Sequence, residues 1–148
     1  MRERPGLSIK RAEQAMMAAK GRALAPFGLN VSQYATLLVL VDNPGTPGAE
    51  LARQCLVTPQ AITTVLANLE QRGLIQRRPH RYHRTLREVH LTEAGRQLVA
   101  QADQVALDVE ARLVDGLSEH EVDLLQRALR RCADNLAPGA ALAEASIL

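Results

Sequence analysis

A mainly α-helical fold carrying one small β-hairpin is what this 148-residue sequence predicts, and three observations predict it. Apolar residues recur at helical spacing along most of the chain, helix-starting signatures stand ahead of those runs, and the period drops to two only after Gly73. The hairpin thus falls between short helices before it and longer ones after it.

Leu7 to Ala25 reads as the first helix, with Ala12, Met16, Ala19 and Ala23 at helical spacing and Pro26 as its stop. Asn30, followed three residues on by Gln33, is a capping-box pattern ahead of "YATLLVLV", and this second helix ends at "DNPG". Thr46 before Pro47 predicts a cap with proline at the first helical position, so "TPGAELARQCL" is expected as a short third helix. Twelve residues later Thr58 and Pro59 repeat that signature. The fourth helix then sets Ile62, Val65, Leu66 and Leu69 on one face before Gly73 ends it. Two short helices so closely spaced form a helix-turn-helix candidate.

"LIQR" and "REVHL" read as a pair of strands, the second with Val89 and Leu91 inward and Glu88 and His90 outward. The stretch between them, "RPHRYHRTL", becomes a projecting loop, a wing. Thr92 is expected to cap a long helix to about Val114 with Leu98, Ala102, Val105, Val109 and Leu113 on one stripe. Ser118 and Glu121 form a second capping box for a last helix. There Val122, Leu125, Leu129, Cys132 and Leu136 follow the spacing of a helix-pairing seam. Residues 138–148 are expected to be a flexible tail.

The length suits one domain with helical extensions, and the longest apolar run, "LLVLV", is far too short to span a membrane. With no apolar leader at the N-terminus, the expected location is the cytoplasm. Cys55 and Cys132 have no CxxC context and read as buried small hydrophobes rather than a disulfide scaffold or redox sensors. No Ser-His-Asp, Cys-His, paired-carboxylate or phosphate-loop constellation is present, so an enzyme is not expected, and no cofactor is implied.

Charge is divided unevenly. Residues 1–42 hold six basic against three acidic side chains, residues 43–91 seven against three, and residues 92–148 five against ten. A basic middle points to a polyanion. Only three aromatic residues are available to stack on bases, which disfavours single-stranded nucleic acid. A duplex reader must instead neutralise phosphate and offer short polar groups to base edges. Thr58, Gln60, Ala61, Thr63, Thr64 and Asn68 occupy the start and outward face of the fourth helix. Gln and Asn suit adenine, Thr suits either base class, and Ala or a Thr methyl suits the thymine methyl. The Thr-Pro start is expected to direct free amides toward a phosphate. In the hairpin Arg77, Arg78, Arg81, Arg84 and Arg87, with His80 and His83, are the expected wing contacts. A metal is not expected at the histidines, because the arginines repel a cation. Near phosphate, histidine protonation is expected to strengthen binding at mildly acidic pH.

The order helix, helix, helix-turn-helix, two-stranded wing, long helix, terminal helix is similar to the MarR family of transcriptional regulators over about Leu7 to Leu136. The stretches "ELARQCLVTPQAITTVLANLEQRGLIQRRP" and "VHLTEAGRQL" carry the resemblance most specifically. One departure stands out: where the family's wing tip reads Asp-Arg-Arg, this sequence has His83, Arg84 and Thr85. The resemblance implies a winged helix-turn-helix over residues 30–92, flanked by a helical dimerisation region at 7–29 and 93–137. It implies a homodimer on a pseudo-palindromic double-stranded operator, acting as a repressor. It also implies a small apolar or aromatic effector in a cleft that Met16, Met17, Phe27, Tyr34 and Leu38 are expected to line. The alternative is a winged-helix module whose basic face meets a protein or anionic-lipid partner without effector control.

Overall fold

The elements form where the caps and breakers place them in a computed structural model describing residues 4–138. Helix α1 (Pro5–Leu24) has proline in its first turn and passes through a 3-10 turn, Ala25–Phe27, at Pro26. Helix α2 (Val31–Asp42) begins at the Asn30/Gln33 capping box, in which Asn30 Oδ1 accepts from Gln33 N at 2.8 Å and Gln33 Oε1 from Asn30 N at 2.9 Å. Next come α3 (Gly48–Gln54) and α4 (Pro59–Gln71), the strands β1 (Ile75–Pro79) and β2 (Arg87–Leu91), then α5 (Glu93–Leu113) and α6 (Glu119–Leu136). The predicted class, mainly α with a small hairpin, is the one observed. Of the flexible tail expected at 138–148, all but Pro138 lies outside the described residues.

Two local expectations are corrected. Thr46 does not cap α3: its hydroxyl donates to Asn43 O at 2.7 Å, and Pro47 is itself the extended residue before the helix. The cause is tertiary, since Pro47 forms a β-bridge with Glu88 that requires extended backbone there. On α5 Ala102 and Val109 are buried as expected, but Gly95, Val99 and Ala106 complete the buried stripe in place of Leu98, Val105 and Leu113. Leu98 and Val105 only flank the core, and Leu113 is exposed. The small residues let the helix axis approach closely, which the larger ones would prevent.

The strands pair antiparallel with Ile75 opposite Leu91 and Pro79 opposite Arg87. Val89 and Leu91 point into the core, as the alternation predicts. Thr92 joins three pieces: its N–H donates to Leu74 O (3.0 Å), its hydroxyl to Gly73 O (2.6 Å), and its hydroxyl oxygen accepts from Gly95 N (3.1 Å). Gly73, at φ 71, makes the left-handed exit from α4 that a side chain would resist.

Two compact units divide the chain after Glu110. In the first, Leu24 of α1, Leu37 and Leu40 of α2, Leu51, Leu69, Val89 and Val99 share one core. Residues 7–29 and 93–110 therefore belong with the helix-turn-helix by contact, whatever else they do. In the second unit α6 starts at the predicted Ser118/Glu121 capping box and buries no residue, leaving Leu125, Leu129 and, contrary to its expected burial, Cys132 exposed. No single described helix is long and apolar enough to cross a membrane; α1 with its 3-10 turn and α2 pass that test only as a pair, bent by 76°.

Candidate nucleic-acid interface

Helix α4 turns Ile62, Val65, Leu66 and Leu69 inward, which leaves Gln60, Thr63, Thr64 and Asn68 outward and exposed, with Ala61 half-buried beside them. Its first turn is less open than the Thr-Pro signature implies. Pro59 has no N–H, Ala61 N donates to Thr58 Oγ1 (3.1 Å) and Ile62 N to Thr58 O (3.0 Å). Gln60 N–H is the one amide of that turn left open among the described residues. Pro59, Gln60 and Thr63 border a shallow hollow of about 430 Å³. Thr63 and Thr64 donate back to Pro59 O and Gln60 O, at 2.9 and 3.3 Å. Their hydroxyl oxygens stay available as acceptors.

Asn68 behaves differently from the rest of that face. Its Oδ1 accepts from Gln33 Nε2 at 2.9 Å, so the carbonyl is engaged by α2 and the amide NH₂ is what it can offer a base. Arg77 is likewise held: its buried Nε lies 3.0 Å from Glu70 Oε2 without hydrogen-bond alignment, a charge contact that pins β1 to α4.

The hairpin loop exposes Arg81, Tyr82, His83, Arg84 and Thr85, Tyr82 at 81%. Arg78 and Arg87 are exposed on the strands, with Arg78 Nη2 donating to Gln76 Oε1 at 3.2 Å. His80 turns inward and is half-buried. At the hairpin base Glu88 Oε2 meets His90 Nε2 at 2.8 Å, and Glu88 Oε1 lies 3.7 Å from His80 Nε2. The hydrogen bond from His90, followed by the charges of His80, His90 and Arg78, holds the Glu88 carboxyl below the usual glutamate value. Gly45, at φ 85, packs on this pair: a Cβ there would lie 3.2 Å from the His90 ring. Among the described residues no group of three or more His, Cys, Asp or Glu side chains forms a metal site.

Between α3 and α4 the chain turns at Leu56, the one non-glycine in the left-handed region among the described residues (φ 55), with its side chain 92% exposed. No turn residue in the sequence signals it.

A cleft of about 370 Å³ is lined by residues of α1, α2 and α5 with Gln54 and Cys55. Of the five residues expected to line it, Tyr34 and Leu38 do; Met16 and Met17 lie elsewhere on α1, and Phe27 packs against the core. The polar lining escaped the sequence reading. Tyr34 Oη donates to Asp103 Oδ1 at 2.6 Å, and Lys20 pairs with Glu110. Burial first, then the bond to Asp103, push the Tyr34 phenol well above its ordinary pKa. Cys55 also borders the cleft; burial raises its thiol pKa, opposed by a 3.8 Å contact with Thr36 Oγ1. Leu38 and Asp103 also border a second groove, of about 520 Å³.

Residues 27–84 match the family model described as MarR family. An HTH-type transcriptional repressor of Mycobacterium tuberculosis is 35% identical over 114 residues, covering 77% of this chain and 79% of that protein. Similar solved structures include the MarR family protein of Mycobacterium tuberculosis in complex with p-aminosalicylic acid. It is 30% identical with a TM-score of 0.70, over 88% of this chain and 99% of that one. The transcriptional repressor CouR of Rhodococcus jostii, bound to a DNA duplex, is 29% identical with a TM-score of 0.80, over 88% and 92%. With helix-turn-helix, wing and flanking helices in the same order, and relatives at this identity spanning most of both chains, the chain belongs to the MarR family.

Proposed function

We propose that the protein is a sequence-specific double-stranded DNA-binding transcriptional regulator, a repressor whose DNA affinity falls or rises with a small effector. One observation carries the reading most directly. Helix α4 exposes Gln60, Thr63 and Thr64 and is tied through Glu70 to Arg77 of the hairpin, whose loop exposes Arg81 and Arg84. Thr58, Gln60, Ala61, Thr63, Thr64 and the amide of Asn68 meet base edges and nearby phosphates in the major groove. Arg81, His83, Arg84, Arg78 and Arg87 meet phosphate and the minor groove. Arg77 and His80 act from beneath, by holding the hairpin.

The exposed leucines of α6, together with the outer face of α1, are the surfaces of a homodimer. Val122, Leu125, Leu129, Cys132 and Leu136 form its seam. Two-fold symmetry then sets two recognition helices about 34 Å apart on a pseudo-palindromic operator. Similar structures in complex with DNA, with p-aminosalicylic acid and with p-coumaroyl-CoA support both the duplex and an effector. The effector site is the cleft of Tyr34 and Leu38. An effector shifts DNA affinity only by its differential binding to the two states, typically about 1–3 kcal/mol. The protein works in the cytoplasm and needs no cofactor.

Selection of bound sequences from random duplex DNA tests the reading. A palindromic consensus is expected; no enrichment at low salt would sink it and favour a basic module for a protein or lipid partner.

A further inference from the structure

The loop of the hairpin is shaped by four hydrogen bonds among the described residues, and each begins or ends on His80 or His83. His80 N donates to Leu86 O (2.9 Å), and Leu86 N donates to His83 O (3.0 Å), closing a four-residue turn with Arg84 and Thr85 at its centre. Tyr82 N and His83 N both donate to His80 Nδ1, at 3.1 and 3.2 Å. The His80 ring lies among the rings of His83 and Tyr82, with centroids 5.1 and 6.2 Å away. Arg84 itself has no partner among the described residues, so its placement comes entirely from the backbone that carries it.

We propose that His80 is the positioning residue of the wing: by accepting from the Tyr82 and His83 amides, its Nδ1 sets the turn that presents Arg84 to DNA. This rests on the hairpin being a DNA contact, as proposed above. An imidazole nitrogen that accepts carries no proton, so the ring proton sits on Nε2, on the side facing Glu88. A second proton would convert Nδ1 from an acceptor into a donor aimed at two donors, and the turn would lose its anchor. The groups facing the ring are Glu88 from β2, which is shared with His90 and influenced by Arg78 of β1, and His83 and Tyr82 in the loop. Glu88 attracts an imidazolium through Nε2 but lies on the wrong side to replace the lost acceptor. Acidification therefore acts on this wing in two opposed ways. Charge on His83 favours phosphate, while charge on His80 releases the turn.

The test compares His80→Ala with His80→Asn, whose Oδ1 stands where Nδ1 stood and accepts without titrating. Duplex affinity is read at about pH 7.5 and about pH 5.5, beside amide exchange of residues 82 and 83. His80→Ala is expected to bind about tenfold more weakly, to exchange those two amides faster, and to make a further Arg84→Ala nearly silent. His80→Asn should keep near-parental affinity and protected amides, and acidification should shift its affinity in a more favourable direction than it shifts the parent's. Should His80→Ala fail to fold, the pH comparison of His80→Asn with the parent decides the matter. If His80→Ala binds as the parent does, or the two substitutions at Arg84 and His80 are additive, or His80→Asn shares the parent's pH profile, the inference is overturned. A parent protein that binds no duplex overturns the proposed function, and this inference with it.

Discussion

Gly95→Ala is the sharpest test of how the wing is mounted. On an exposed helix the change would stabilise by about 1 kcal/mol through helix propensity. Here the added Cβ would stand 2.1 Å from Leu74 O, 3.1 Å from Leu74 C and 3.3 Å from Leu91 Cδ2. Merely reaching 3.0 Å from that oxygen requires a displacement of at least about 0.9 Å. The obstacle is backbone, which cannot rotate aside as a side chain can. Overpacking of this kind costs about 1–3 kcal/mol. Leu74 O also accepts from Thr92 N at 3.0 Å, and straining that bond adds about 1 kcal/mol. The gain and the strained bond roughly cancel, so the net expectation is a loss of about 1–3 kcal/mol. For a chain of this length that lowers Tm by about 3–10 °C. Urea denaturation measures the free energy directly, and duplex affinity should fall alongside it because Leu74 leads into β1. A variant as stable as the parent would refute the packing of α5 against the base of the hairpin.

Arg84→Ala should weaken duplex binding by about 1–3 kcal/mol across sequences, whereas Gln60→Ala should relax preference at one base position; titrations against a consensus and its single-base variants separate the two. Tyr34→Phe removes a 2.6 Å bond to a carboxylate and should cost about 1.5–3 kcal/mol in denaturation. Because the fold favours the neutral phenol, Tyr34 contributes stability that is intact below the unfolded tyrosine value of about 10 and fades as pH climbs above it. The phenylalanine variant should lack that alkaline loss. Leu56→Gly should raise stability by about 0.5 kcal/mol, since relief of the left-handed strain outweighs the added chain entropy and an exposed side chain forfeits no burial. A drop in its denaturation midpoint would mean that Leu56 packs on something.

Much of the fold could be read from local signals. Asn30 with Gln33, Thr58 before Pro59 and Ser118 with Glu121 each set a helix start, because a cap is satisfied by residues three positions apart. Gly73 set a helix end, also by a local cause, its left-handed backbone. Thr46 and Pro47 carried the same local signature and misled, because Pro47 is held extended by Glu88, 41 positions away. The stripe on α5 was misplaced by about one residue. Leu98 and Val105 are the more hydrophobic choice, but closeness of approach, not hydrophobicity, decides which face of α5 packs.

The site shows the same boundary between local and distant causes. Which residues of α4 face outward followed from helical period alone, and the richness in arginine marked the hairpin as basic. What each polar side chain is free to do did not follow, because its partner is remote. Gln33 takes the carbonyl of Asn68 across 35 positions, and Asp103 takes the phenol of Tyr34 across 69. Arg77 and Arg84 are alike in sequence, yet one is spent on Glu70 and the other stands open. These bonds also place Gln33 and Tyr34, neighbours on α2, between the cleft and the reading helix: one is tied to α4, the other to α5. A ligand that separates Tyr34 from Asp103 thus acts on the same short segment that holds Asn68. In the regulator proposed above, that shared segment would couple occupancy of the cleft to what α4 offers to DNA.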